Sequence, residues 1–417
     1  MLAAAALLLG QSARAGDTTV DAGRGPVSVH VPAGYSPAVP MPLVMLLHGY
    51  SADGPGQEAY MQFTPLSDER GFLYLYPNGT LDGAGNRFWN GTNACCDFAG
   101  SGIDDSGYLR DLIEAVGQAL NVDERRVYLI GHSNGGFMSH RLACDHPDLI
   151  TAIASLAGAT WNNAAACGAA SGVHVLQVHG TNDTTIFYNG GNLTGSVYPG
   201  AVATVEQWAG FAGCSLTPDN SAPPLDLDAS LAGDETTVRS YPSGCSNDGS
   251  AELWTINGGG HIPALSADFS PAVVDFLFDH ARAGLGASYC VAAPNSAGDG
   301  ARIAGLGSDV VADGDFTLIV EGLPASVFGL FFFGPNAIQS PFGDGFRCVG
   351  GSTQRLYPLT RANDFGTAAR SVNLIAAPAL GSIVPGSNWN FQLWYRDGGG
   401  PGGTGFNVSD GLNVAFQ

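Results

Sequence analysis

Apolar residues fall in short continuous runs along the first two thirds of the chain, with helically spaced stretches between them. Met41-Pro42-Leu43-Val44-Met45-Leu46-Leu47 is apolar throughout, as expected of a strand buried on both faces. Phe72 to Pro77, Ile150 to Gly158, Val173 to Gly180 and Ala251 to Ile256 read the same way, whereas Pro26 to Val31 alternates. Asp105 to Leu120 carries Leu109, Leu112, Ile113, Val116 and Leu120 at helical spacing, and Val202 to Ala209 and Pro271 to Arg282 are further predicted helices. Apolar strands alternating with helices predict a mostly parallel, doubly wound α/β sheet covered on both faces.

The pattern changes after Gly284. Helical spacing disappears, and short strand-like runs are separated by Gly, Pro, Ser and Asp. Trp389, Phe391, Leu393 and Tyr395 fall on one face at period two, as do Leu412, Val414 and Phe416. Phe316 to Val320 and Phe328 to Phe333 are further strand candidates. This reads as a smaller all-β, sandwich-like domain over residues 285–417, following a catalytic domain over 16–284.

The candidate chemistry sits where a strand meets a helix. Val127 to Ile130 runs into Gly131-His132-Ser133-Asn134-Gly135, a G-x-S-x-G turn whose small flanks let the backbone hold a serine exposed and strained. Met138 and Leu142 then resume helical spacing. A serine hydroxyl needs a general base, and the base needs an orienting acid. In a doubly wound sheet both belong on loops at strand C-termini, in the order Ser, Asp or Glu, His. The strand at 173–178 ends in His179-Gly180-Thr181-Asn182-Asp183, and the strand at 251–256 in Asn257-Gly258-Gly259-Gly260-His261. Ser133, Asp183 and His261 match in order and position. Asp226 and Asp228 compete for the acid, but no clear strand precedes them. His48-Gly49-Tyr50 ends the run at 41–47, so the Tyr50 and Asn134 backbone N–H groups are the expected oxyanion donors. His48 is read as a brace for that loop.

Composition narrows the alternatives. Charged residues are 13% of 417, and the net charge of −21 argues against a nucleic-acid partner, since phosphate binding needs clustered cations. All 16 basic residues are arginine, which excludes Schiff-base, Ser-Lys and P-loop lysine chemistry. Met1 to Leu9 followed by Ala13-Arg14-Ala15 reads as a signal peptide over residues 1–15, lacking a basic n-region. No later run is long and apolar enough to span a membrane. Eight cysteines, an even number without a C-x-x-C pair, favour disulfides over zinc in an exported chain. The Asp-Gly turns around Asp299, Asp313 and Asp315 match no calcium-loop spacing, so no metal is expected.

Leu47-His48-Gly49-Tyr50, Phe88-Trp89-Asn90-Gly91, Cys95-Cys96, Asp104-Asp105-Ser106-Gly107-Tyr108-Leu109, Gly131 to Gly136, His179 to Asp183 and Gly259-Gly260-His261 together resemble the polyhydroxybutyrate depolymerase and feruloyl esterase family of α/β-hydrolases. The resemblance covers roughly residues 20–285. It implies an α/β-hydrolase fold and a secreted carboxylic-ester hydrolase without metal or organic cofactor. Its triad falls on Ser133, Asp183 and His261, and its substrates include polymer esters and feruloylated polysaccharides. The last 130 or so residues resemble glycine-rich β-domains appended to other secreted bacterial proteins.

Trp89 is the expected aromatic wall of an acyl pocket, with Trp161 behind it; the alternative for each is a core tryptophan. Cys214 and Cys245 would close the segment between the acid and the histidine strand. Cys95, Cys96, Cys144 and Cys167 would make two bridges of open connectivity near the site, and Cys290 and Cys348 remain for the C-terminal domain. Asp104-Asp105 reads as a loop and helix-start feature rather than an acid/base pair. Two other functions compete: a surface protein that binds polymer through its β-domain beside a vestigial hydrolase, and a serine peptidase on the same fold.

Overall fold

The computed structural model describes residues 16–168, 172–374 and 383–417; the signal peptide expected at 1–15 lies outside them. The chain forms two compact units. The first takes in the chain up to Ala33 and Met41–Arg282, the second Gly34–Pro40 and Ala283–Gln417. Gly34–Pro40 falls with the second unit because buried Val39 clusters with Ile319 and Ala369, a long-range contact that no local pattern announces.

The strands of the first unit are, in chain order, β1 Thr18–Asp21, β2 Pro26–His30, β3 Met41–Leu47, β4 Leu73–Leu75, β5 Thr80–Leu81, β6 Arg87–Phe88, β7 Val122–His132, β8 Ala152–Leu156, β9 His174–Gly180, β10 Gly190–Leu193, β11 Ser196–Pro199, β12 Thr236–Ser240 and β13 Ser250–Ile256. Nine make one sheet in the order β1-β2-β4-β3-β7-β8-β9-β13-β12. From β4 through β13 every neighbour pair is parallel, and the strands flanking that block are antiparallel. Every residue of β3, β8 and β9 is buried, which is why these strands read as unbroken apolar runs. The helices are α1 Gly54–Met61, α2 Thr64–Arg70, α3 Asp105–Ala119, α4 Asn134–Asp145, α5 Ala201–Phe211 and α6 Phe269–Phe278. The expected helical face of α3 is buried through Leu109, Leu112, Ile113 and Val116, and Asp104 caps its start by accepting from the Gly107 N–H.

The second unit contains β14 Ala287–Tyr289, β15 Arg302–Gly307, β16 Phe316–Glu321, β17 Phe328–Gly334, β18 Asn336–Phe342, β19 Gly345–Gly350, β20 Gln354–Arg361, β21 Ala368–Ser371, β22 Asn388–Asp397, β23 Gly405–Val408 and β24 Gly411–Ala415. A sheet β14-β24-β22-β17-β20, with β23 beside β22, is joined by a second sheet β15-β16-β21. One apolar cluster takes in Phe331, Phe333, Phe391, Leu393 and Tyr395 from the larger sheet and Ile303, Phe316, Leu318 and Val320 from the smaller. That is the interior of a β-sandwich. The protein is thus an α/β-hydrolase unit followed by an all-β unit.

Candidate active site

β7 delivers Ser133 to the head of α4. Ser133 adopts φ 54° and ψ −116°, a conformation side chains other than glycine avoid. The glycines around it are fixed by crowding: a Cβ on Gly131 would lie 2.2 Å from the Gly135 carbonyl oxygen, and one on Gly135 would lie 2.0 Å from that of Leu47. Only bare backbone lets strand, turn and helix approach so closely.

His261 Nε2 stands 2.9 Å from Ser133 Oγ, and His261 Nδ1 stands 2.7 Å from Asp183 Oδ2. The loops carrying the histidine and the acid are tied to each other. The Asn182 N–H donates to the Gly259 carbonyl at 2.9 Å, and the Gly258 N–H to Thr181 Oγ1 at 2.8 Å. His132 Nε2 donates to the His261 carbonyl at 3.0 Å. Burial holds the His132 imidazole at about 4, so it is a neutral donor that fixes the backbone of His261.

Asp183 is buried, which by itself pushes its carboxyl up. Hydrogen bonds from His179 and His261 and from the Thr185 and Ile186 N–H groups outweigh that and hold it below the usual carboxylate range. His179 Nε2 lies 3.3 Å from Asp183 Oδ2 and 2.8 Å from the Ile186 carbonyl. Behind His179 runs a directed chain of buried side chains. The Trp208 indole, which can only donate, reaches His140 Nδ1 at 3.0 Å. His140 therefore carries its proton on Nε2 and donates to Gln177 Oε1 at 3.0 Å. The Gln177 amide donates to the Gly158 carbonyl at 2.9 Å and to His179 Nδ1 at 3.2 Å. Each acceptor is forced by the donor before it, so His179 presents an N–H to Asp183. Sequence reasoning missed this line, although a glutamine inside a fully buried strand was a visible signal.

The Tyr50 and Asn134 N–H groups find no acceptor among the described residues. Both are free to point at a developing oxyanion. His48 braces this loop as expected: Nδ1 donates to the Gly49 carbonyl at 2.8 Å, and Nε2 accepts from the Gly79 N–H at 2.9 Å. The Asn134 side chain does something the sequence did not suggest. It accepts from the Trp89 N–H and donates to the Trp89 carbonyl, both at 2.8 Å, clamping the residue after Ser133 to the 88–96 segment. Asn134→Asp removes that donor and buries a charge. It is expected to destabilise the protein by about 3–5 kcal/mol, read as a lower thermal midpoint, with activity lost in parallel.

A family model described as Esterase PHB depolymerase matches residues 27–208. Over those residues the chain is similar to this family of esterases. It is 27% identical over 256 residues to the putative esterase NocK of Nocardia uniformis subsp. tsuyamanensis, covering 57% of this chain and 71% of that protein. It is 28% identical over 244 residues to feruloyl esterase B of Piromyces equi, covering 56% of this chain but only 42% of the fungal enzyme. Among solved structures, the acetyl xylan esterase from Aspergillus awamori aligns with a TM-score of 0.46 at 18% identity, over 63% of this chain and 99% of that one.

Trp89 is not an open wall. It is wholly buried, packed 5.0 Å from the His48 ring and held through its backbone by Asn134. The expectation of a pocket face is corrected to that of a core ring supporting the His48–Tyr50 loop. Trp161 is half-buried on the segment leaving β8. Cys95 pairs with Cys96, Cys144 with Cys167, Cys214 with Cys245 and Cys290 with Cys348. Cys214 and Cys245 are 31 residues apart. Replacing both by alanine is expected to cost about 3–4 kcal/mol in the chain-entropy model, measurable by denaturant titration. Asp104 and Asp105 serve structure: Asp104 caps α3, and Asp105 takes Arg24 and the Asn90 N–H. No cluster of three or more metal-binding side chains occurs among the described residues, and no helix there is long and apolar enough to cross a membrane.

Proposed function

We propose that Ser133, His261 and Asp183 are the nucleophile, base and acid of a secreted carboxylesterase acting on polyhydroxyalkanoate-type or feruloyl-type esters. The observation that carries this reading is the unbroken line from Ser133 Oγ through His261 to Asp183, beside two unengaged backbone N–H groups. His261 takes the serine proton as Oγ attacks the ester carbonyl, and Asp183 stabilises the imidazolium. The Tyr50 and Asn134 amides hold the oxyanion while His261 returns the proton to the leaving alkoxide. Water, activated the same way, releases the acyl group.

Apolar side chains near these residues support a bulky, weakly polar ester. Ile262, beside His261, is 68% exposed; Phe187 and Phe98 are also exposed, and Phe98 meets the Tyr50 ring edge-on. A cavity of about 500 Å³ adjoins this loop, lined in part by Leu81, Asp82, Phe88 and Phe98, and Asp82 accepts from the Tyr50 hydroxyl at 2.5 Å. Four disulfides support an oxidising, extracellular setting. Side-by-side assays on polyhydroxybutyrate, methyl ferulate and p-nitrophenyl butyrate test the reading. Turnover of either of the first two is expected, and cleavage of short acetates alone would overturn the substrate class.

A binding role for the second unit has one specific observation in its favour. Phe332, Phe342, Tyr357 and Trp394 line a groove of about 400 Å³ beside Arg347 and Arg355. A platform of this kind suits a polymer chain. Tyr357→Ala in the full chain is expected to reduce retention on insoluble substrate and leave p-nitrophenyl butyrate hydrolysis unchanged.

A further inference from the structure

The groove on the second unit sets aromatic rings and arginines side by side. Phe391, Leu393 and Tyr395 of β22 and Phe331 and Phe333 of β17 fill the sandwich core, so the period of two turns Trp394, Leu330 and Phe332 to the opposite face. Trp394 pairs in register with Leu330, and Phe332 with Arg355 of β20, which carries that face to the outermost strand of the sheet. The β18–β19 ribbon is fastened to the same face by Gln392. Its Oε1 accepts from the Cys348 N–H at 2.9 Å, and its amide donates to the Phe346 carbonyl at 2.8 Å. Phe342 and Arg347 of the ribbon and Tyr357 of β20 complete the lining.

The charge of this groove runs against that of the chain. The chain carries 37 acidic and 16 basic side chains, yet among the described residues the groove is lined by two arginines and no carboxylate. Arg355 is exposed and makes no hydrogen bond or ion pair with any described residue. Arg347 is held in place, Nε donating to the Val349 carbonyl at 2.8 Å and Nη2 to Thr353 Oγ1 at 3.4 Å, and its Nη1 engages no described residue. A third guanidinium, that of Arg396, stands over the Trp394 ring at 5.8 Å. Each guanidinium presents a fork of N–H groups that fits a carboxylate. The rings serve a different surface. Tyr357 is 62% exposed and Phe342 40%, large apolar faces left open beside the cations. A uronic acid offers both: C–H groups across the sugar face, which lie against the electron-rich face of an aromatic ring, and a carboxylate at the sugar edge.

We propose that this groove binds an acidic polysaccharide, a sugar chain bearing carboxylates at intervals. The inference rests on the binding role proposed above for the second unit and names its ligand. A polyester carries a carboxylate only at its chain end and cannot engage arginines of β19, β20 and β22 together. A neutral glycan would leave all three without a partner. A nucleic-acid strand offers rings and repeated charge, but a phosphate at every residue meets the field of a chain at −21, which a few arginines do not offset.

Isothermal titration of the full chain with soluble polygalacturonate and with glucuronoxylan, each beside its carboxyl-reduced neutral form, tests this. At least one native polymer is expected to bind about tenfold more tightly than its reduced form, the scale of one charge-assisted hydrogen bond, and the advantage should shrink as salt rises. Arg355→Gln should remove most of that advantage and Arg355→Glu should reverse it, an order that a structural role for this exposed side chain would not produce. Hydrolysis of p-nitrophenyl butyrate and the thermal midpoint should stay unchanged in both. Tyr357→Ala should weaken the charged and neutral forms alike. Equal affinity for charged and neutral polymers, or tighter binding of a single-stranded oligonucleotide than of either uronate polymer, overturns the proposal. If Tyr357→Ala still weakens binding in that case, the groove takes neutral polymer and only the acidic ligand has failed; if it changes nothing, the binding role of the second unit falls as well.

Discussion

Ser133→Ala is expected to lower kcat for p-nitrophenyl butyrate about a millionfold, close to 8 kcal/mol of transition-state stabilisation, with the fold intact. The hydroxyl is the one atom of this residue that meets His261. The backbone features that fix the elbow do not depend on it: the Ser133 N–H donates to the Leu156 carbonyl at 2.8 Å, and the strained φ is shared by alanine. The thermal midpoint should therefore move little. KM should also change little, because the Tyr50 and Asn134 amides and the apolar surroundings remain. Residual turnover above solvent hydrolysis is expected from the oxyanion donors alone. A variant retaining activity within tenfold of the parent would place the nucleophile elsewhere and remove the basis for the triad.

What could be read from the sequence was what the backbone repeats locally. Strands β3, β8 and β9 appear as apolar runs because both faces are covered. The candidate triad could be named because strand ends and chain order constrain it more tightly than any single residue does. The short helices α1 and α2 were missed: α1 opens Gly54-Pro55-Gly56, which reads as a turn, and its cap rests on the Asp53 side chain. Strand β12 was missed because Thr236-Thr237-Val238-Arg239-Ser240, at a sheet edge, carries one apolar residue. Trp89 was misplaced since a tryptophan beside a motif looks alike whether it faces solvent or core. The Asn134 clamp, the His132 brace and the Trp208–His140–Gln177–His179 line join residues from distant elements. Only three-dimensional packing makes them partners.

That buried line gives the second large effect its reasoning. Asp183→Asn is expected to lower kcat about ten-thousandfold while preserving the fold. Asp183 Oδ1 receives two backbone N–H groups, from Thr185 and Ile186, which cannot reverse. An asparagine must keep its one carbonyl oxygen there, turning its NH₂ toward His261 and His179. His179 cannot accept, because the chain that begins at the Trp208 indole fixes its proton on Nε2. His261 is left to accept at Nδ1, which moves its proton to Nε2, facing Ser133, and disables it as a base. KM should change little and kcat should fall. The same substitution carries a signature in stability. The Asp183 carboxyl is held below the usual carboxylate range in the folded protein, so its contribution is present above the unfolded value near 4 and is lost as pH falls through the folded value. Thermal midpoints measured from pH 6 down to pH 3 should therefore drop further for the parent than for the asparagine variant, whose amide does not titrate. Parallel acid profiles would mean that Asp183 is not ionised by its surroundings, and a kcat loss below tenfold would mean that His261 does not depend on it for its tautomer.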